Sequence, residues 1–158
     1  MYAWALFLHL ASVFGFLMAH GVSAGTSLQL RKERAEGPAR ALVELSTGSL
    51  YFTYAFLLTI IATGVLLGFL GGWWRHVWIW ASLVLVVALI AAMGFLAGGY
   101  HGSRQALGIG YFRSTQPPAE GRSGALQASL DSARPGQLLV VGVAGLPVVL
   151  WLMVFKPF

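Results

Sequence analysis

Apolar residues run along this chain in four long blocks, and the charged residues are gathered between them. The uncharged stretches cover approximately Tyr2–Gly25, Ser49–Gly72, Val77–Tyr100 and Gly136–Phe155, and none contains Asp, Glu, Lys or Arg. Each is long enough to cross a hydrocarbon layer about 30 Å thick, which takes about 20 helical residues. Lipid offers no water to the backbone, so every amide must be paired within its own segment, and helices are required. The lengths also exceed the roughly 9–11 residues of a transmembrane β-strand. The pattern predicts an all-α protein, an integral membrane four-helix bundle forming a single membrane domain over residues 1–158.

The connections predict how the bundle is oriented. The first, Thr26–Thr47, holds Arg31, Lys32, Arg34 and Arg40, and the third, His101–Pro135, holds Arg104, Arg113, Arg122 and Arg134. The second holds only Arg75 and the tail only Lys156. Basic residues concentrate in cytoplasmic loops, so the first and third connections belong inside and both termini fall on the non-cytoplasmic side. Trp73, Trp74, Trp78 and Trp80 flank the tight outer turn, with Tyr2, Trp4 and Trp151 as further interfacial anchors. Within the first connection, Leu28–Ala35 extends the first helix past the headgroups. Gly37-Pro38 then stops it, and Pro38 suits the first turn of a helix running to about Ser46, at the interface or leading into the second span. In the third connection, Gly108–Gly124 is rich in Gly, Pro and Ser and predicts poor order, with a short helix over Ala125–Arg134.

Composition narrows the class further. Apolar residues make up 58% and charged residues 9%, against roughly 45–50% and about 25% in soluble domains. The net charge of +5 comes from loop residues placed as topology determinants, so it does not argue for nucleic acid. With no cysteine, the chain has no disulfide, thiolate metal site or cysteine nucleophile. The opening MYAWALFLHL lacks a basic leader and reads as a retained first helix rather than a signal peptide.

Small and polar residues should hold the helices together, because lipid tails give apolar helices no reason to associate. Candidates are Gly64, Gly68 and Gly71 in the second span, Ala88, Ala92, Gly94 and Gly98 in the third, and Gly142 and Gly145 in the fourth, where Pro147 predicts a kink. They serve either packing within one bundle or the seam of a homodimer. The first helix shows its faces most clearly. At about 100° per residue, His9, Ser12, Phe16, His20 and Ser23 fall within an arc of about 80°, while Phe7, Leu10, Phe14, Leu17 and Met18 lie opposite. The first set should face the bundle interior and the second the lipid.

Reactive groups are few: His9, His20, His76 and His101, with Thr59, Thr63, Tyr51 and Tyr54 in the second helix. No acidic residue lies in a span, which argues against a carboxylate proton relay or a cation-coupled carrier. No catalytic set is evident. His9 and His20 share a face but stand roughly 16 Å apart along the axis, too far for one metal ion. His20 and His101 both fall toward the cytoplasmic end and are candidate axial ligands of one haem b; His9 is a third candidate, with His76 as a shallow counterpart. The plainer role for an intramembrane histidine is a hydrogen bond to a neighbouring helix, and for Thr59 and Thr63 a bond to their own helix. Met18, His20 and Met93 offer soft and imidazole ligands to copper, without a dense Met/His cluster.

The opening Phe7-Leu-His-Leu-Ala-Ser-Val-Phe-Gly-Phe16 resembles a broad bacterial grouping that includes HemJ-type protoporphyrinogen oxidases, CopD-type copper-resistance membrane domains and a family of small integral membrane proteins of unassigned function. The basic connection followed by Ala41-Leu-Val-Glu-Leu-Ser46 is most similar to the unassigned family. The resemblance covers mainly the first two spans. It implies a multi-pass protein of the bacterial cytoplasmic membrane and, through the HemJ-type members, a haem b ligand at His9. Two functions are therefore expected: a non-enzymatic accessory or assembly component of a larger membrane complex or a homodimer, or a haem b-binding redox protein using His9, His20 or His101. A channel or carrier would need several copies around a pore.

Overall fold

A computed structural model describes residues 1–33, 35–97, 103–105, 107–109, 124, 128 and 135–157. Among them there is no β-strand, and four helices are long and apolar enough to cross a membrane. These are α1 (Tyr2–Leu30), α2 (Glu36–Gly71), α3 (Val77–Leu96) and α4 (Pro135–Phe155). No more than 22% of the apolar window of any of them is buried within the chain, and in α3 the figure is 6%. Surfaces so apolar and so open need a second apolar solvent, which identifies a membrane protein.

The first and fourth predicted spans sit inside α1 and α4, the second ends at Gly72 just past α2, and the third, expected to reach Tyr100, ends at Leu96, with residues 98–100 outside the described residues. α1 continues past the headgroups only to Leu30, short of the expected end at Ala35, and Gly37-Pro38 belong to the start of α2 instead of stopping α1. The helix expected from Pro38, either at the interface or leading into the second span, takes the second course. It is the first part of α2, whose 36 residues give a rod about 54 Å long at 1.5 Å per residue. Pro38 causes no break because it falls in the first turn, where its missing amide hydrogen would have had no intrahelical partner. Gly72 ends α2 in the left-handed region at φ 66°, its amide donating back to Gly68 and Phe69 carbonyls. One 3₁₀ turn, Trp73–Arg75, and an extended His76 lead into α3. Pro147 lies inside an unbroken α4. The expectations for residues 108–124 and 125–134 fall on positions largely outside the described residues.

The helices associate as two pairs. α1 and α2 share the broadest contact, α3 and α4 the next, and α1 meets α4 along a narrower strip. Tyr2 packs edge-on to Trp73 at 5.9 Å, and Lys156 Nζ lies 4.0 Å from the centre of the same ring. The start of α1, the end of α4 and the α2–α3 turn therefore gather at one end of the molecule. At the other end Leu30, Ala39, Val43 and Leu107 form a small buried cluster, flanked by Leu42 and Ile109. Arg40 Nη1 donates to the Leu107 carbonyl at 3.4 Å, and Ser103 and Arg104 are buried beside it. The third connection thus begins by docking onto the ends of α1 and α2, which its Gly- and Ser-bearing sequence did not suggest.

Of the glycines expected to let helix backbones approach, Gly64, Gly68 and Gly71 act as sockets for rings, and so does Gly15, which was not among them. A Cβ at Gly15 would lie 2.5–2.7 Å from three carbons of the Phe56 ring, at Gly68 2.9 Å from Trp74, and at Gly71 2.5 Å from Trp73. Gly142 and Gly145 do serve helix packing, receiving Met93 and Leu89 of α3. Gly94 faces open space, as do Gly21 and Gly25.

Candidate functional site

Among the described residues, the polar stripe of α1 is the main concentration of chemistry within the spans, and the structure turns it inward. His9 and Ser12 are buried and Phe16, His20 and Ser23 half-buried, whereas Phe7, Leu10, Phe14, Leu17 and Met18 are all exposed. The periodicity of a 3.6-residue helix accounts for both sets. What it could not supply is the partner of each polar group, because that depends on which helix lies opposite.

α2 supplies two of the partners. His9 Nδ1 lies 2.9 Å from Thr63 Oγ1, and both residues are buried. The direction of this bond follows from the hydroxyl's other contacts. Thr63 Oγ1 has one proton, and it stands 2.6 Å from the Thr59 carbonyl and 3.2 Å from the Ile60 carbonyl, both of which can only accept. The hydroxyl proton is committed to its own helix, so the hydroxyl accepts from His9. In the single-proton form of the ring the proton therefore sits on Nδ1, and Nε2 keeps its lone pair. Gly64, next along the chain, makes room for the ring: a Cβ there would stand 3.4 Å from His9 Cε1. About four turns farther along α1, Ser23 Oγ meets Ser46 Oγ at 3.1 Å.

Most other hydroxyls of the long helices bond within their own helix. Thr59 donates to Ala55, Thr53 to Ser49, Ser49 to Ser46, Thr47 to Val43, Thr26 to Val22 and Ser82 to Trp78. These bonds satisfy a polar group in an apolar medium without a second helix. Thr63 does this and also receives His9, a double role that sequence reasoning missed. The available signal was depth: in an antiparallel pair, a residue near the start of α1 faces one near the end of α2.

His20 is placed differently. Its ring stacks on Phe16 one turn earlier, with centroids 5.8 Å apart and an interplanar angle of 1°. Its Nε2 edge points at Gly142 of α4, where a Cβ would be 3.3 Å away, and Met93 of α3 reaches the same spot with its terminal methyl at 3.1 Å. His76 is exposed at the start of α3, and its amide donates to the Trp73 carbonyl at 2.9 Å. Tyr51 and Tyr54 lie on exposed surface, and Met18 points outward. His101 lies outside the described residues. The described histidines are thus not paired with one another, and no group of three His, Cys, Asp or Glu side chains suited to a metal occurs among the described residues.

The chain matches no protein-family model and no curated protein, and its structure matches no solved structure. Function must be argued from the stripe itself.

Proposed function

We propose that this chain is a four-span protein of the bacterial cytoplasmic membrane, with the start of α1 and the end of α4 on the outer side. In this reading it is a non-enzymatic accessory or assembly component of a larger membrane complex, related to the small integral membrane proteins of unassigned function that its first two spans resemble. One observation carries the reading. Among the described residues, the polar groups of the spans other than His20 are mostly engaged in holding helices together, as in His9–Thr63 and Ser23–Ser46, or in bonding to their own backbone. The excess of basic residues at the end where Leu30 and Val43 cluster supports the orientation. The two helix pairs leave long flanks on which spans of another protein, or of a second copy, can pack. Crosslinking in native membranes, followed by identification of the captured chains, tests this; a protein recovered only as a monomer would count against it. Cysteine labelling of Gly48→Cys and His76→Cys variants in intact cells tests the orientation, with only the second expected to react from outside.

A second reading, haem b held by intramembrane histidine, is favoured by the state of His9. A ligating imidazole characteristically donates its other ring nitrogen to a hydrogen-bond acceptor, which fixes ring and tautomer; Thr63 does this for His9 and leaves Nε2 as the donor atom. Haem bound there would supply one-electron chemistry. The absorption spectrum of detergent-purified protein, made with haem supplementation, decides between the readings. A Soret band lost in His9→Ala supports haem, and a colourless folded protein removes it.

A further inference from the structure

The start of α1, the α2–α3 turn and the end of α4 together enclose a cation. Lys156 Nζ stands 4.0 Å from the centre of the Trp73 ring and 5.5 Å from that of Trp78. Both distances fall within the ~6 Å over which a ring face attracts a cation. The two indoles are 5.5 Å apart and inclined at 59°, so they form two walls of an open box. Tyr2 braces Trp73 from α1, meeting it edge-on at 5.9 Å.

The box does not depend on the lysine for its shape. Trp73 is seated in the socket at Gly71, where a Cβ would lie 2.5 Å from its ring, and Trp78 is buried. Lys156 is exposed. Its backbone is fixed after the last turn of α4, the amide donating to the Leu152 carbonyl at 3.1 Å, but its ammonium hangs on a flexible four-carbon stem. The side chain can therefore swing out while the rings stay in place. No carboxylate side chain competes with the rings for a cation. All five acidic residues, Glu33, Glu36, Glu44, Glu120 and Asp131, belong to the first and third connections, at the other end of the spans. The basic residues at this end are Lys156 and, in the turn itself, Arg75. Rings that take a cation, beside basic side chains that take an anion, complement a zwitterion. The box also joins the ends of membrane-length helices, which places it at the level of the lipid headgroups.

We propose that this box binds the alkylammonium of a zwitterionic phospholipid headgroup in exchange for Lys156. The headgroup ammonium takes the place of Nζ between Trp73 and Trp78, and the displaced Lys156 ammonium meets the headgroup phosphate. One cation leaves the rings as another enters, and the lysine gains an anionic partner. An anionic lipid brings a phosphate but nothing for the rings, so it leaves Lys156 in the box. Ring faces recognise positive charge rather than N–H donors, so a trimethylammonium group is accepted as well as a primary one. The site is independent of the His9–Thr63 pair and of the haem reading built on it.

The full chain, purified in a maltoside detergent, is offered phosphatidylethanolamine, phosphatidylcholine and phosphatidylglycerol with identical acyl chains, and native mass spectrometry reads the lipid retained. One zwitterionic lipid should be held at least about fivefold more strongly than phosphatidylglycerol, with phosphatidylcholine no weaker than phosphatidylethanolamine. This comparison needs no variant to fold. Trp73→Leu and Trp78→Leu should each remove most of the preference, whereas Trp151→Leu, which lies outside the box, should keep it. Tetramethylammonium, a soluble cation without phosphate, isolates the rings. Followed by tryptophan emission, it should bind Lys156→Gln at least about threefold more tightly than the parent, because the lysine no longer competes. Soluble phosphocholine separates a free zwitterion from a lipid headgroup: failure to displace the retained lipid supports the headgroup, and displacement at comparable concentration overturns the lipid assignment. Equal retention of phosphatidylglycerol overturns the proposal. So does rejection of phosphatidylcholine while phosphatidylethanolamine is held, which would mean hydrogen bonding in place of ring recognition, or tetramethylammonium binding that is indifferent to Lys156.

Discussion

The His9–Thr63 contact yields the sharpest quantitative expectation. Thr63→Val keeps the shape of the side chain and removes the oxygen that accepts the His9 proton at 2.9 Å. The Thr59 and Ile60 carbonyls lose only a second donor, because each remains in the helical ladder. The loss therefore falls on the buried imidazole N–H, for which the Ile60 carbonyl is the remaining acceptor. An unsatisfied buried donor costs about 1–3 kcal/mol in water-soluble proteins, while interhelical side-chain bonds in membrane proteins average about 0.6 and reach about 1.7 kcal/mol. We expect Thr63→Val to destabilise by about 1–1.5 kcal/mol, between those ranges. Thr63→Ser, which keeps the oxygen, should stay within about 0.5 kcal/mol of the parent. A double-mutant cycle with His9→Leu isolates the pair and should return a coupling of about 1 kcal/mol. The assay is reversible unfolding in mixed micelles, driven by increasing anionic detergent and followed by circular dichroism. If the cycle closes to zero within error, or if Val and Ser at position 63 behave alike, the hydrogen bond does not stabilise the α1–α2 pair, and the argument for the Nδ1–H tautomer falls with it.

Four further outcomes follow from the packing. Gly145→Ala should destabilise by about 1–3 kcal/mol in the same assay, because its Cβ would overlap the Leu89 side chain. Gly21→Ala, which meets open space, should be neutral within about 0.5 kcal/mol. Gly72→Ala should cost about 1 kcal/mol, since the α2–α3 turn holds this residue at φ 66°, where a Cβ is crowded. Lys156→Gln removes the ammonium from above Trp73 and Trp78 and should lower stability by about 0.5–1 kcal/mol, with a change in tryptophan emission that Arg75→Gln does not produce.

Much of the architecture was legible before any coordinates. Uncharged runs of membrane length have one stable backbone solution in lipid, so the four helices and their approximate limits follow from solvation alone. The two faces of α1 follow from helical geometry, and the exposed Phe14 and Met18 opposite buried His9 and Ser12 agree with it. Pro38 was legible as lying in the first turn of a helix, but a proline there does not decide between a short interfacial helix and one that continues unbroken into the next span. Gly68, Gly71, Gly142 and Gly145 were legible as close approaches but not as what approaches them, whereas Gly94, expected to be one, meets open space and Gly15 was missed. The ring in each socket is chosen by the neighbouring helix or turn, as Phe56 is at Gly15 and Trp74 at Gly68.

The sequence by itself determined the solvent, the helix count and the inward face of α1, because each depends on hydrophobicity and a fixed 3.6-residue period. Only the tertiary structure decided that His9 meets Thr63, that His20 and Met93 converge on Gly142, and that Leu107 and Ile109 pack onto the ends of α1 and α2. Those pairings depend on which helices are neighbours and how they are rotated and shifted, a choice made by side-chain shape across the whole set of contacts and carried by no local pattern.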